Sequence, residues 1–241
     1  LAFAISLIAA GAVAQSFPSH EMYVKDGRPE NIVSALDKWE PGKPWNGDAG
    51  YVDENFWISR VPLKNRFRPG DQANDNLNDE NNKNFCWMAP TGEMSKKWGA
   101  LPRYNFDADN FNMWQYVDIH SNWTNGFWRV PGAFNDVAHK NGVKTGCTYF
   151  IDWGAGVNQM EEPGKTLYEL ATPGTNSYGD KYKYSRKLIQ FLKYYGIDGL
   201  CFNPEGYWGY TVYSRFIPFL AECHKIAKEL NHPFHVDWYA Y

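Results

Sequence analysis

From Asn84 onward the chain repeats one order: a short apolar run, a polar break, an amphipathic run, then another apolar run. Phe85–Pro90 (FCWMAP), Met113–Trp123 (MWQYVDIHSNW), Val143–Trp153 (VKTGCTYFIDW), Ile197–Glu205 (IDGLCFNPE) and Pro233–Tyr241 (PFHVDWYAY) read as strands. Between them, the segments around Gly132–Lys140, Lys181–Tyr195 and Thr211–Leu230 read as helices. Leu188, Phe191 and Leu192 share one helical face, and Asn141-Gly142 and Gly196 are the stop signals. Strands that alternate with helices form a parallel sheet, because parallel neighbours need a crossover. Five units take up about 160 residues where eight need roughly 250. The expected fold is therefore α/β, a (β/α)8 TIM-type barrel truncated after about the fifth strand; an open sheet of fewer strands is the competing architecture. No Gly-x-Gly-x-x-Gly turn opens a helix, which argues against a dinucleotide-binding fold.

What precedes the repeat divides in two. Leu1–Gly11 is an apolar run of signal-peptide length, and Ala12-Val13-Ala14 is a small-x-small cleavage pattern. Residues 1–14 thus read as a partial signal peptide, 15–83 as a loop-rich N-terminal segment and 84–241 as an incomplete catalytic barrel. Export follows, to the medium, periplasm or cell surface, and no apolar run is long enough to span a bilayer. The polar stretch Asp71–Asn84 cannot build a core. The net charge of −3 offers no basic face for nucleic acid. Cys86, Cys147, Cys201 and Cys223 are too widely spaced for a zinc pattern and read as buried thiols. No ligand-like His/Cys cluster implies a metal, and no organic cofactor is expected.

Asn203 and Glu205 stand two residues apart at the carboxyl end of the fourth strand, so strand alternation puts them on one face. Pro204 between them removes a backbone donor, which fits a position where ladder pairing ends. In the fifth strand Phe234, Val236 and Trp238 alternate with His235, Asp237 and Tyr239, a polar face aimed into the barrel. The third strand ends in Asp152-Trp153 and the second in His120-Ser-Asn-Trp123. Asn-x-Glu alone is a common triplet; the gathering of acids, amides and aromatics at one rim is what marks a site. The chain is also rich in rings, with 11 Trp and 16 Tyr, and flat rings pack on the C–H faces of sugars as readily as in a core.

Glycosidic hydrolysis ordinarily needs two carboxylates, and the pair here holds one. A substrate with a 2-acetamido group can supply the missing nucleophile through its carbonyl oxygen. Asn203 is then placed to orient the acetamide, and Glu205 to act first as acid and then as base.

Tyr195-Gly-Ile-Asp-Gly-Leu-Cys-Phe-Asn-Pro-Glu205 resembles the signature of glycoside hydrolase family 85, the endo-β-N-acetylglucosaminidases. So do Met113-Trp-Gln-Tyr-Val-Asp118, Ala138-His-Lys-Asn-Gly-Val-Lys-Thr-Gly146 and the pair Trp238-Tyr239, and the likeness covers about residues 84–241. The resemblance implies a cut between the two N-acetylglucosamines of an N-glycan core, so that the partner is a glycan or glycoprotein. It implies catalytic roles for Asn203, Glu205 and Tyr239. Asp152, Trp153, Trp123, His120, Trp238 and Asp237 are the expected substrate contacts. Family 18 chitinases carry Asp-Gly-x-Asp-x-Asp-x-Glu; laid on Asp198–Glu205, this chain keeps the first acid and the last but has Cys201 and Asn203 between. The same rim would also suit a non-catalytic glycan binder, or a glycosidase that pairs Asp152 with Glu205.

Overall fold

The computed structural model describes residues 32–43, 57–66, 84–88, 113–122, 130, 132–151, 168–204 and 210–238. Strands β1 (Phe85–Met88), β2 (Ile119–Asn122), β3 (Lys144–Ile151), β4 (Gly199–Pro204) and β5 (His235–Trp238) form one sheet in the order β1-β2-β3-β4-β5, every pair parallel. Helix α1 (Ile32–Lys38) precedes the sheet; α2 (Gly132–Lys140) lies between β2 and β3, α3 (Ser185–Tyr195) between β3 and β4, and α4 (Tyr210–Glu229) between β4 and β5. Each strand thus lies beside the next in sequence, with α2, α3 and α4 in the crossovers that follow β2, β3 and β4, the arc of a (β/α) barrel wall.

Local chemistry accounts for most boundaries. Gly196 ends α3 in the left-handed region (φ 71°), where its N–H returns to the carbonyls of Leu192 and Lys193. Ile197 N–H also reaches back to Leu192 O at 2.9 Å, completing the cap before the chain enters β4. The expected strand Met113–Trp123 is shorter than its pattern: Trp114–Tyr116 forms a 3₁₀ turn and β2 starts at Ile119. Arg66 explains the turn. Its Nη1 donates to Trp114 O (2.8 Å) and Asn141 O (3.2 Å), its Nη2 to Gln115 O (3.0 Å) and its Nε to Asp118 Oδ1 (3.1 Å). Carbonyls held by a guanidinium are not free to join a ladder.

The core lies between sheet and helices. Leu200 and Phe202 of β4 are fully buried, and Phe202 meets Phe216 of α4 edge to face at 5.0 Å between centroids. All four cysteines are thiols, three of them buried.

The loop-rich segment contributes more than a lead-in. Trp39, just after α1, is buried against Phe191 and Tyr194 of α3, with centroids 5.2 and 5.9 Å away. Covering such a ring stabilises by on the order of 2 kcal/mol. Residues 57–66 then run as a strap along α2 and the ends of the helices. Asp136 Oδ1 accepts from Ser59 Oγ (2.7 Å), Arg60 N (2.7 Å) and Val61 N (3.0 Å). Burial pushes its carboxyl up, but these three donors outweigh it and hold the group below the ordinary range. Residues 1–14, with the signal-like run, and 71–83 lie outside the described residues.

At the amino-terminal edge of the sheet sits a buried ion pair. His139 Nε2 donates to Asp198 Oδ2 at 2.8 Å and Nδ1 donates to Val61 O at 2.6 Å, so both ring nitrogens have an acceptor. Burial pulls the imidazole's pKa down, but the bond to Asp198, its charge, the Val61 carbonyl and the charge of Asp136 together leave it raised. A raised folded value means that the stabilisation is fully present below the unfolded value of about 6.5 and fades as pH rises through the folded one. The stability advantage of wild type over His139→Gln in urea should therefore shrink between pH 6 and pH 8.5. The same variant should cost about 3 kcal/mol at pH 6, because the Asp198 charge stays buried. An advantage over the variant that grew across this range would contradict the pairing.

Candidate active site

The register of the sheet sets up a layer on its inner face. Ser121, Gly146, Gly199 and His235 are successive Cα partners across β2, β3, β4 and β5. A Cβ on Gly199 would lie 2.4 Å from His235 Nδ1, and one on Gly146 would lie 2.5 Å from Ser121 Oγ and 3.0 Å from His235 Nε2. The imidazole of β5 thus lies flat across the backbone of β4 and reaches β3. Two glycines in strand interiors have this as their physical reason: only bare backbone lets the ring cross.

One layer further along, Asp237 is the Cα partner of Cys201. Asp237 Oδ2 is 3.0 Å from His235 Nε2, close enough for charge attraction, although the two are not aligned as a hydrogen bond. Ser121 Oγ and both His235 nitrogens are buried without a hydrogen-bond partner among the described residues. Ser121 Oγ and the His235 nitrogens make no hydrogen bond to one another, so Ser121, His235 and Asp237 do not make a nucleophilic triad.

The next position of the same parity on β4 is Asn203, whose Cα is paired with Phe150 of β3, one residue before Pro204 ends the strand. The expected functional amide therefore stands at the carboxyl end of a central strand, where (β/α) barrels carry their chemistry. Glu205, Tyr239, Asp152, Trp153 and Trp123 lie outside the described residues.

The three other expected contacts divide between the faces. Asp237 is on the inner face, as strand alternation from His235 requires. His120 is not at the rim: its ring packs at 4.8 Å against Phe134 of α2 and at 5.9 Å against Trp114, on the helix side of the sheet. Burial there lowers its pKa to about 4, so it is neutral at physiological pH. Ser121, its neighbour in β2, takes the inner position. Trp238 is likewise on the helix side, 5.4 Å from Phe202, and remains partly exposed. The inner residues that sequence reasoning does not pick out as contacts are Ser121 and His235. The signal that could find both is the pair of strand glycines, Gly146 and Gly199, which mark a close approach across the sheet.

The acids of the family-like segments also separate by height. Asp118 accepts from Arg66 and from Asn84 N (2.9 Å), and Asp198 from His139 and Thr145 N (2.8 Å), both at the amino-terminal edge. That edge of a barrel serves stability rather than chemistry. Asp198, the acid that keeps the first place of the chitinase pattern, is thus committed to the scaffold.

Comparison with known proteins bears on the family and the fold. The model of glycosyl hydrolase family 85 matches residues 92–240, more than half of the chain. Among solved structures, the chain is similar to the glycoside hydrolase domain of Endo-D from Streptococcus pneumoniae R6, with a TM-score of 0.62 and 22% identity. That match covers 86% of this chain and 30% of the other, so the chain spans under a third of that protein's length and the likeness speaks for the fold. No curated protein gives a match. The family match takes in β2 to β5 and the Asn203–Glu205 segment, and on it the chain belongs to glycosyl hydrolase family 85.

Proposed function

We propose that the protein is an exported endo-β-N-acetylglucosaminidase that hydrolyses the GlcNAc-β-1,4-GlcNAc linkage of N-glycan cores with retention, by substrate assistance. The observation that carries this reading is the position of Asn203, an amide and not an acid, at the end of a central strand in a family 85 chain, two residues before Glu205. The signal-like first 14 residues support export.

Each step follows from what those groups can do. Glu205, protonated, donates to the glycosidic oxygen as the C1–O bond breaks and its electron pair stays with the leaving sugar. The carbonyl oxygen of the 2-acetamido group on the same sugar as that C1 bonds to it from the opposite face and forms a five-membered oxazolinium-type ring. Asn203 orients the acetamide for that attack, and Tyr239 assists beside it. Water then adds at C1 and gives its proton to Glu205, and the ring C1–O bond opens to return the acetamide. Two inversions leave the configuration retained. No group but the substrate's own acetamide is asked to be the nucleophile, so one carboxylate suffices.

Incubation of the full-length enzyme with a high-mannose glycoprotein should leave one N-acetylglucosamine on each asparagine, read as a mass shift of the protein. Intact glycoprotein, or loss of the whole glycan, would overturn the assignment. Cleavage of substrates lacking the 2-acetamido group would favour instead an acid pair such as Asp152 with Glu205.

The two roles separate by mutation. Glu205→Gln should lower kcat on natural glycans by about 10³-fold or more, the scale of general acid catalysis. Asn203→Ala should lose about 10²- to 10³-fold on glycans, comparable to removing one preorganised polar group, yet still turn over a preformed sugar oxazoline. Normal glycan hydrolysis by Asn203→Ala would remove the case for assistance by the acetamide.

A further inference from the structure

Among the described residues, Asp237 is the one carboxylate on the inner face of the sheet. Asp118 and Asp198 are bound at the opposite edge by Arg66 and His139, and the remaining described acids sit on helices and loops outside the sheet. Asp237 stands in the layer of Cys201, its Cα partner, and Asn203 follows two positions along β4. The substrate-assisted reaction puts positive charge on the acetamide-derived ring. Asn203, being neutral, can orient that ring and stabilise it through its dipole, but brings no net negative charge.

We propose that Asp237 provides the offsetting negative charge from one layer beneath Asn203, and that His235 seats its carboxylate. The surroundings are built for this. The His235 imidazole is fixed by Gly199, whose Cβ position it occupies at 2.4 Å, and its Nε2 lies 3.0 Å from Asp237 Oδ2. Ser121 Oγ, fully buried and without a partner among the described residues, faces the same layer over Gly146. Polar groups left in a sheet interior without partners are costly, and they concentrate where charge is to be handled. Two strand residues advance about 7 Å, and unit charges at that separation in an effective dielectric of about 20 attract strongly enough to change a rate by about 10- to 50-fold.

This inference rests on the substrate-assisted reading above, and the experiment keeps the two apart. In the full-length enzyme, Asp237→Asn keeps the shape and removes the charge. It should lower kcat on a high-mannose glycoprotein by about 10- to 50-fold with KM within about twofold. Asp237→Glu should recover part of the loss. Binding supplies the charge-specific readout: a positively charged amino-substituted analogue of the oxazoline ring should bind Asp237→Asn about tenfold more weakly than wild type, while the neutral thiazoline analogue binds both alike. Retained binding of the neutral analogue also certifies the fold. If both analogues weaken together, or neither does, Asp237 has no electrostatic role and the inference falls. If wild type cleaves the glycan and Asp237→Asn keeps pace, this inference alone is lost; if wild type leaves the glycan intact, both readings fall.

Discussion

The carboxylate of Asp198 fixes the register on which the inner face depends. Thr145 N donates to its Oδ2 at 2.8 Å while Asp198 N donates to Thr145 O at 2.9 Å, so β3 and β4 are locked at their first residues. The Asp198 carbonyl then accepts from His235 N at 3.0 Å and starts β5 at the same height. From that point Gly146, Gly199 and His235 must line up. A slip of one residue would turn Leu200 and Phe202 toward the barrel interior and Cys201 toward the helices. One buried acid therefore decides which side chains meet a substrate. His139 completes the arrangement, because its second nitrogen ties the same pair to Val61 of the strap.

Much of this is legible in the sequence, and what is not has a common physical cause. The alternation of strands and helices, the stop at Gly196 and the two-faced pattern of β5 are local signals with fixed periods, and the structure follows them. The strap 57–66 carries no period at all: it is held by single residues far away in the chain, Asp136, His139 and Arg66's carbonyl partners, so it reads as loop until the partners are in place. The same holds for Trp114–Tyr116, whose residues favour a strand but whose carbonyls are claimed by Arg66. The parity of β2 is hidden for a related reason. Position alone puts His120-Ser-Asn-Trp123 near the carboxyl end of the strand without fixing which face each takes, whereas the core aromatics Trp114 and Phe134 draw His120 to the helix side and turn Ser121 inward.

The charges of the chain sort by function once height along the strands is considered. The amino-terminal edge holds paired ions: Arg66 with Asp118 and His139 with Asp198, each with backbone bonds that satisfy what the pair leaves over. Buried pairs of this kind contribute little net stability but exclude competing registers, since breaking one strands a charge. Among the described residues, the acid at the layer of Asp237 has instead a contact that is close but poorly directed.

That difference is what a site for a transient charge needs. An acid engaged by two or three donors, like Asp136, has its field already spent on them. An acid held at 3.0 Å by a misaligned ring keeps more of its field for a cation that exists only during reaction. The two glycines make the arrangement possible, because any side chain at 146 or 199 would lift His235 off the backbone and move the acid with it. The absence of side chains at two positions, the buried serine and the loosely paired acid are thus one feature, and its location one layer below Asn203 ties it to the chemistry proposed for that residue.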